Sequence, residues 1–355
     1  MRILTRSILI YFLFFLNACN SNDDDNVRPT QVSNSQQILV VNEGNFGQGN
    51  ASLSLIEEGK LVISNDLIAE ANNGITTGDV VQSVYYSNGL IYIVSNVENR
   101  ILVINSKTFQ QVDVIESNLE NPRYINITRG KIFVTNWGSD FVNSFVSVFS
   151  ESDLSFNYKI STDPGTEKIF TNDGQEFWVS NNFSNTIQVF EFGKNEIKET
   201  IQVGYAPNGI NSLQADELFV LCQDTFGGSN GYIYKIGIEG YQKLDSVQLG
   251  IKPGDQLEFN SISSKGGFLF YGGTSVFTFD PSNRFSISEN KLADFSSELG
   301  SIYGIGIDNS GDLWIADHLD FTRSGRVVKT NGNNPGKIVE SYSVGIGPNG
   351  FLFKY

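Results

Sequence analysis

The chain has 355 residues, with 24 Lys and Arg against 39 Asp and Glu, a formal charge of −15. A net anion of this size opposes the counterion displacement on which nucleic-acid binding depends, and no Lys/Arg run offers a local exception. With 40% hydrophobic and 18% charged residues the chain has the composition of a folded protein; a single histidine excludes a multi-His metal site, and two cysteines exclude a disulfide framework.

Residues 1–18 read as a secretory signal: Arg2 and Arg6 start it, an apolar run over 8–16 follows, and Ala18 precedes Cys19. That run is too short to span a bilayer, which needs about 20 apolar residues. Leu16-Asn17-Ala18-Cys19 is similar to the bacterial lipobox, which implies cleavage before Cys19 and a lipid on its thiol. Residues 19–37 are polar and aperiodic, the composition of a flexible tether. Asp23-Asp24-Asp25 either solvates this tether or is similar to the lipoprotein export signal of Bacteroidota, which implies the outer leaflet of the outer membrane, facing the exterior.

From residue 38 one strand phrase returns seven times: Leu39-Val40-Val41-Asn42, Ile93-Val94-Ser95-Asn96, Phe133-Val134-Thr135-Asn136, Trp178-Val179-Ser180-Asn181, Phe219-Val220-Leu221-Cys222, Phe270-Tyr271-Gly272-Gly273 and Trp314-Ile315-Ala316-Asp317. The copies lie 40 to 54 residues apart, a period that fits one four-stranded propeller blade per repeat. The phrases are apolar on nearly every residue, as strands covered on both faces are. An opening strand precedes each later phrase, at 80–84, 121–127, 167–170, 208–213, 257–262 and 302–307, and a seventh, 349–353, ends the chain with no phrase after it. The first phrase has no opening strand of its own. The C-terminal strand is therefore expected to enter the first blade, closing an all-β, seven-bladed β-propeller over 38–355 and hiding the edges an open sheet would expose. No helix of any length is expected. The sixth repeat is the most degenerate, so a solenoid or a six-bladed ring with a side hairpin remains an alternative.

Phe133-Val134-Thr135-Asn136, with Pro207-Asn208-Gly209-Ile210, resembles the YVTN/YncE-like seven-bladed propellers. Asn42-Glu43-Gly44-Asn45-Phe46-Gly47 with Asn50-Ala51-Ser52-Leu53-Ser54 resembles a family of Bacteroidota surface lipoproteins that includes BtuG-type cobalamin-capturing proteins. That resemblance implies a corrinoid ligand and a TonB-dependent outer-membrane transporter as partner. It implies no catalytic residue, resident cofactor or metal, and membrane attachment only through the lipid anchor.

In such a blade the turn after each phrase shares a face with the lead-in to each opening strand. One set of turns gathers Asn42, Glu43, Asn96, Asn136, Trp137, Asn181, Asn182, Phe183, Asp224, Phe226, Asp317 and His318; the other gathers Arg123, Glu167, Asn208 and Asn349. Amides and carboxylates among large rings suit a bulky, amide-bearing ligand. Asparagine at a strand end also serves as a turn former bonded to its own backbone, and Trp137 and Phe183 are as well suited to packing between blades. Asp317, His318 and Asp320 offer donors for a cation or ordinary polar surface, and Cys222 ends a buried strand as an inert thiol. A calcium-dependent lactonase-like hydrolase using Glu43, Asn181 and Asp317 is the enzymatic alternative, and a protein-docking scaffold is the structural one.

Overall fold

The computed structural model describes residues 36–60, 62–172, 174–225, 228–262 and 267–353. The leader, Cys19 and the acidic tether lie outside the described residues, as does Phe226. From Ser35 onward the chain forms a compact unit of its own, the propeller.

Seven four-stranded antiparallel sheets follow one another as blades. The second blade is typical: its innermost strand is Val81–Ser87, the phrase strand is Leu90–Ser95, and Arg100–Asn105 and Gln111–Ile115 lie outside it. The first blade is assembled from both ends of the chain, with Pro348–Phe353 innermost against Gln37–Asn42, then Ser52–Glu57 and Val62–Ser64. Ile38 pairs with Phe353 and Val40 with Phe351, so the expected closure is present.

The apolar phrases are explained by where alternate residues go. Side chains along a strand point to opposite faces, so each phrase serves two cores. Leu39 and Val41 pack with Val81, Ile91 and Ile93 of the second blade, whereas Ile38 and Val40 pack with Trp314, Ala316 and Val327 of the seventh. Seven such clusters occur among the described residues, one for each pair of neighbouring blades, including the pair that closes the ring. Each fully buried side chain of this kind contributes roughly 1.5–3 kcal/mol, so the ring is held at every seam. Trp178 and Trp314 are fully buried in two of them.

Two details differ from expectation. Short helices occur at Leu67–Ala71 and Ile287–Asn290, where loops crossing the outside of a blade close one or two turns. In the sixth blade the innermost strand is only Glu258–Phe259, because Asp255 and Gln256 leave the ladder and turn to the axis.

Candidate functional site

Six of the seven innermost strands share one irregularity. Against the phrase strand, each of these six gains one residue near its start: the register slips between Val81 and Ser83, Pro122 and Ile125, Thr166 and Ile169, Pro207 and Gly209, and Ile302 and Gly304, and opposite Val41 and Asn42 in the closing strand. A bulge leaves its extra residue unpaired and re-aims the side chain. The residues in these slips are Gln82, Arg123 with Tyr124, Glu167 with Lys168, Asn208, Tyr303 and Asn349. Distant parts of the sequence thus arrive at one ring.

Inside the ring is a cavity of about 820 Å³, lined by Gln82, Arg123, Tyr124, Lys168, Tyr303 and Asn349 from the bulges, and by Asp255, Gln256 and Glu258 from the sixth blade. Glu43 and Asn96, just beyond two phrase strands, reach it from the loops, as do Trp137 and Phe141; Phe46, 77% exposed, stands at its edge.

On the wall built by the third and fourth blades, polar groups satisfy one another. Arg123 donates to Glu167 through Nη2 at 2.9 Å and through Nε at 3.2 and 3.3 Å, and Trp137 Nε1 donates to the same carboxylate at 2.8 Å. The guanidinium lies 3.7 Å from the Trp137 ring centroid. Burial opposes the Arg123 charge, but the adjoining Glu167 carboxylate outweighs it and holds the group above its ordinary range. Phe183 and Phe141 extend the ring cluster, with centroids 4.7 and 6.1 Å from Trp137. Phe141 sits at φ +60°, a left-handed backbone uncommon for a bulky residue, in a loop pinned by Asp140, whose Oδ1 accepts from the amides of Val142 and Asn143.

The opposite wall is less complete. Glu43 Oε2 accepts from Tyr303 Oη at 2.8 Å and Asn349 Nδ2 at 3.2 Å, and Asp255 Oδ1 accepts from Tyr271 Oη at 2.9 Å. Burial raises the Glu43 carboxyl above its usual range, with those hydrogen bonds and Arg123 pulling the other way. Glu258 is raised for the same first reason, against Lys168. The Lys168 ammonium lies 3.6 Å from the Tyr124 ring centroid; burial would lower it, but Tyr124 and Asp255 hold it above its ordinary value.

Of the residues singled out in the sequence, Glu43, Asn96, Arg123, Trp137 and Asn349 line the cavity, and Glu167 and Phe183 support it from behind. The phrase-end asparagines divide. Asn42, Asn136 and Asn181 are fully buried in turn networks: Asn42 Nδ2 donates to Ser52 and Ser54, Asn136 Oδ1 accepts from the Glu120 amide, and Asn181 joins Thr166, Thr186 and Gln188. Asn182 donates its amide to Gly165, and Asp224 accepts from the amides of Thr225 and Asn230 within its own loop. Asn208 is 3% exposed, and its Oδ1 has no hydrogen-bond partner among the described residues.

Asp317 is fully buried and accepts from the amides of Gly300, Ser301 and Leu319 and from Arg326, so its oxygens are committed to structure. His318 stacks on Phe321 at 4.0 Å, and Asp320 accepts within its own turn from Thr322. Of the Glu43, Asn181 and Asp317 trio, only Glu43 borders the cavity, so these residues do not converge on one ion. A different carboxylate group, Glu58, Asp308 and Asp312, does converge, but the Lys329 ammonium is its counterion, 2.8 Å from Asp312 and bonded also to Glu58. Cys222 is buried and its thiol is pushed up by burial, as for an inert core residue.

Gln82, Tyr124, Lys168, Asp255, Gln256, Glu258, Tyr303 and Phe141 escaped sequence reasoning. For Gln82 and Tyr303 a signal was present: each stands one residue into its opening strand, the offset of Arg123, Glu167, Asn208 and Asn349. For Asp255 and Gln256 it was not, because their blade departs from the common ladder.

Solved structures of similar fold span most of the chain at low identity. A quinonprotein alcohol dehydrogenase-like protein from Bacteroides thetaiotaomicron matches with a TM-score of 0.63 at 13% identity, over 90% of this chain and 78% of that one. A functionally unknown protein from Desulfotomaculum acetoxidans gives 0.60 at 14% identity, over 90% and 98%. Hydrazine synthase from Kuenenia stuttgartiensis gives 0.59 at 15% identity, over 76% and 88%. At these identities the likeness is one of fold. No curated protein matches the sequence. A family model does match over residues 36–311, and the seven-bladed propeller described above accordingly belongs to the DUF5074 family, described as a domain of unknown function.

Proposed function

We propose that this propeller is a capture module that seats a bulky, amide-bearing nutrient in its axial cavity, with a corrinoid such as cobalamin as the leading candidate. The observation that carries the reading is the cavity: about 820 Å³, walled by large rings interspersed with carboxylates and amides. Rings at Trp137, Phe141 and Phe46 give apolar area to a ligand body, while Asn96 and Asn349, whose Nδ2 groups donate to Pro122 and Glu43, present their amide oxygens as acceptors. The BtuG-type resemblance of residues 42–54 supports the corrinoid class. The lipobox-like Cys19 and the acidic residues after it support a lipid-anchored place on the outer membrane, facing the exterior, from which cargo passes to a TonB-dependent transporter.

Titration of the purified full chain in mild detergent with cyanocobalamin tests this. Saturable heat and a shift in the corrinoid absorbance are expected. Trp137→Ala should weaken the affinity by at least about tenfold, the effect of losing one aromatic anchor. No saturable heat at any attainable concentration overturns the corrinoid reading.

A further inference from the structure

The two walls of the cavity offer different hydrogen-bonding capacities. On the Arg123 wall, Arg123 Nε and Nη2 and Trp137 Nε1 all donate to the one carboxylate of Glu167. Across from it, acceptors are in surplus. Among the described residues no protein donor reaches Glu43 Oε1, Asp255 Oδ2 or either oxygen of Glu258, although all three side chains border the cavity. These side chains are half-buried and open to the cavity, so water completes their oxygens until a ligand with donors of its own replaces it. The charge of the lining has the same sense: Glu43, Asp255 and Glu258 stand against Arg123 and Lys168, three carboxylates against two cations, and Arg123 is already paired with Glu167 behind it.

We infer that the cavity selects a ligand whose polar edge is an array of N–H or O–H donors, such as carboxamides or hydroxyls, and that Glu43, Asp255 and Glu258 read this edge and reject the corresponding carboxylates. This deepens the capture reading and rests on it. The ligand lays its apolar body against Trp137 and Phe141 and turns its donors toward the first and sixth blades. A carboxylate on that edge brings like charge against half-buried carboxylates with no proton to share between them.

The test uses two pairs of probes, each matched in shape and differing in donor against carboxylate, titrated into the full chain at pH 7.5. One pair is dicyanocobinamide and dicyanocobyrinic acid, in which the peripheral amides are carboxylates. The other is a neutral maltooligosaccharide and the α-1,4-glucuronate oligomer of equal length, in which each C6 hydroxymethyl is a carboxylate. In the pair that binds, the neutral member should bind about a hundredfold more tightly, because like-charge juxtaposition costs several kcal/mol. Glu43→Gln and Glu258→Gln, each first checked for an unchanged thermal midpoint at pH 4, should narrow that gap by about tenfold each, through tighter binding of the acid. If the sugar pair binds with this preference and the corrinoid pair does not, the donor rule stands and the corrinoid reading falls. An acid that binds as tightly as its neutral partner overturns the rule while capture stands, and binding of neither pair overturns both.

Discussion

Where the third and fourth blades meet, Arg123, Glu167 and Trp137 form a closed set in which each charge has its partner and one carboxylate takes both the guanidinium and the indole N–H; across the cavity Glu43, Asp255 and Glu258 are only partly engaged. Both walls are made by innermost strands and the loops beside them, so topology alone does not separate them. The difference lies in pairing. A buried pair with complete hydrogen bonding fixes geometry and gains little from a ligand, whereas a buried acceptor with a free lone pair holds a preference in reserve. One wall is a frame for the rings, and the other is the part that discriminates.

The sharpest way to break this contrast is to remove one member of the closed set. Glu167→Ala leaves the Arg123 guanidinium buried without a counterion and should cost about 3–5 kcal/mol in denaturant unfolding. The double variant Arg123→Met with Glu167→Leu, which leaves no charge stranded, should recover most of that loss. If the single variant costs no more than a surface substitution, the wall is not a closed set. Next in size, and in affinity rather than stability, is Phe46→Ala. Its ring is 77% exposed, so the unfolding midpoint should stay within about 0.5 kcal/mol of wild type, as for other surface changes. Cyanocobalamin affinity should nevertheless fall by about fivefold or more in titration, the 1 kcal/mol scale of an interface contact.

The sequence made the ring legible because a phrase apolar on nearly every residue demands two covered faces, and a closed circle of blades covers both faces of all seven phrases. Half of the site was legible through the same repeat. Arg123, Glu167 and Asn349 stand at one offset in their opening strands, and Glu43 directly follows a phrase. What the repeat could not indicate is which strand-end polar residues turn inward. Asn96 borders the cavity, while Asn136 and Asn181, at the same place in the phrase, are consumed by their own turns. The choice depends on whether a neighbouring hydroxyl or amide is at hand to satisfy the side chain. Asp255 and Gln256 lay beyond reach for the opposite reason: their blade has lost the ladder that made the others alike.

A smaller effect sharpens the contrast by acidity. Burial raises the Glu43 carboxyl above its ordinary value of 4.5, so the folded state holds that proton more tightly than the unfolded one. Folding is therefore favoured by this group at and below pH 4.5, and the contribution is lost as pH rises through the raised value. Glu43→Gln keeps the acceptor for Tyr303 and Asn349 but removes the titration. Its thermal midpoint should match wild type near pH 4 and exceed it at pH 7. An equal difference at both values would mean that ionisation of Glu43 is not penalised in the fold.

The smallest expected effect runs in the other direction with pH. His318 stacks on Phe321 at 4.0 Å and meets Tyr303 edge-on at 5.2 Å, and burial lowers its affinity for a proton below the ordinary 6.5 despite Asp317 and Asp320. Here the unfolded chain takes up the proton first as pH falls, so the stability this ring contributes is present above pH 6.5 and declines below it. His318→Phe retains the stack and cannot titrate. Between pH 7.5 and 5.5 its midpoint should therefore fall less than that of wild type. In the Glu43→Gln background, where the opposing slope is gone, the wild-type histidine should show its acid loss in full. Because Tyr303 joins this ring to Glu43, a result in which the two substitutions fail to add would place the His318 stack within the discriminating wall.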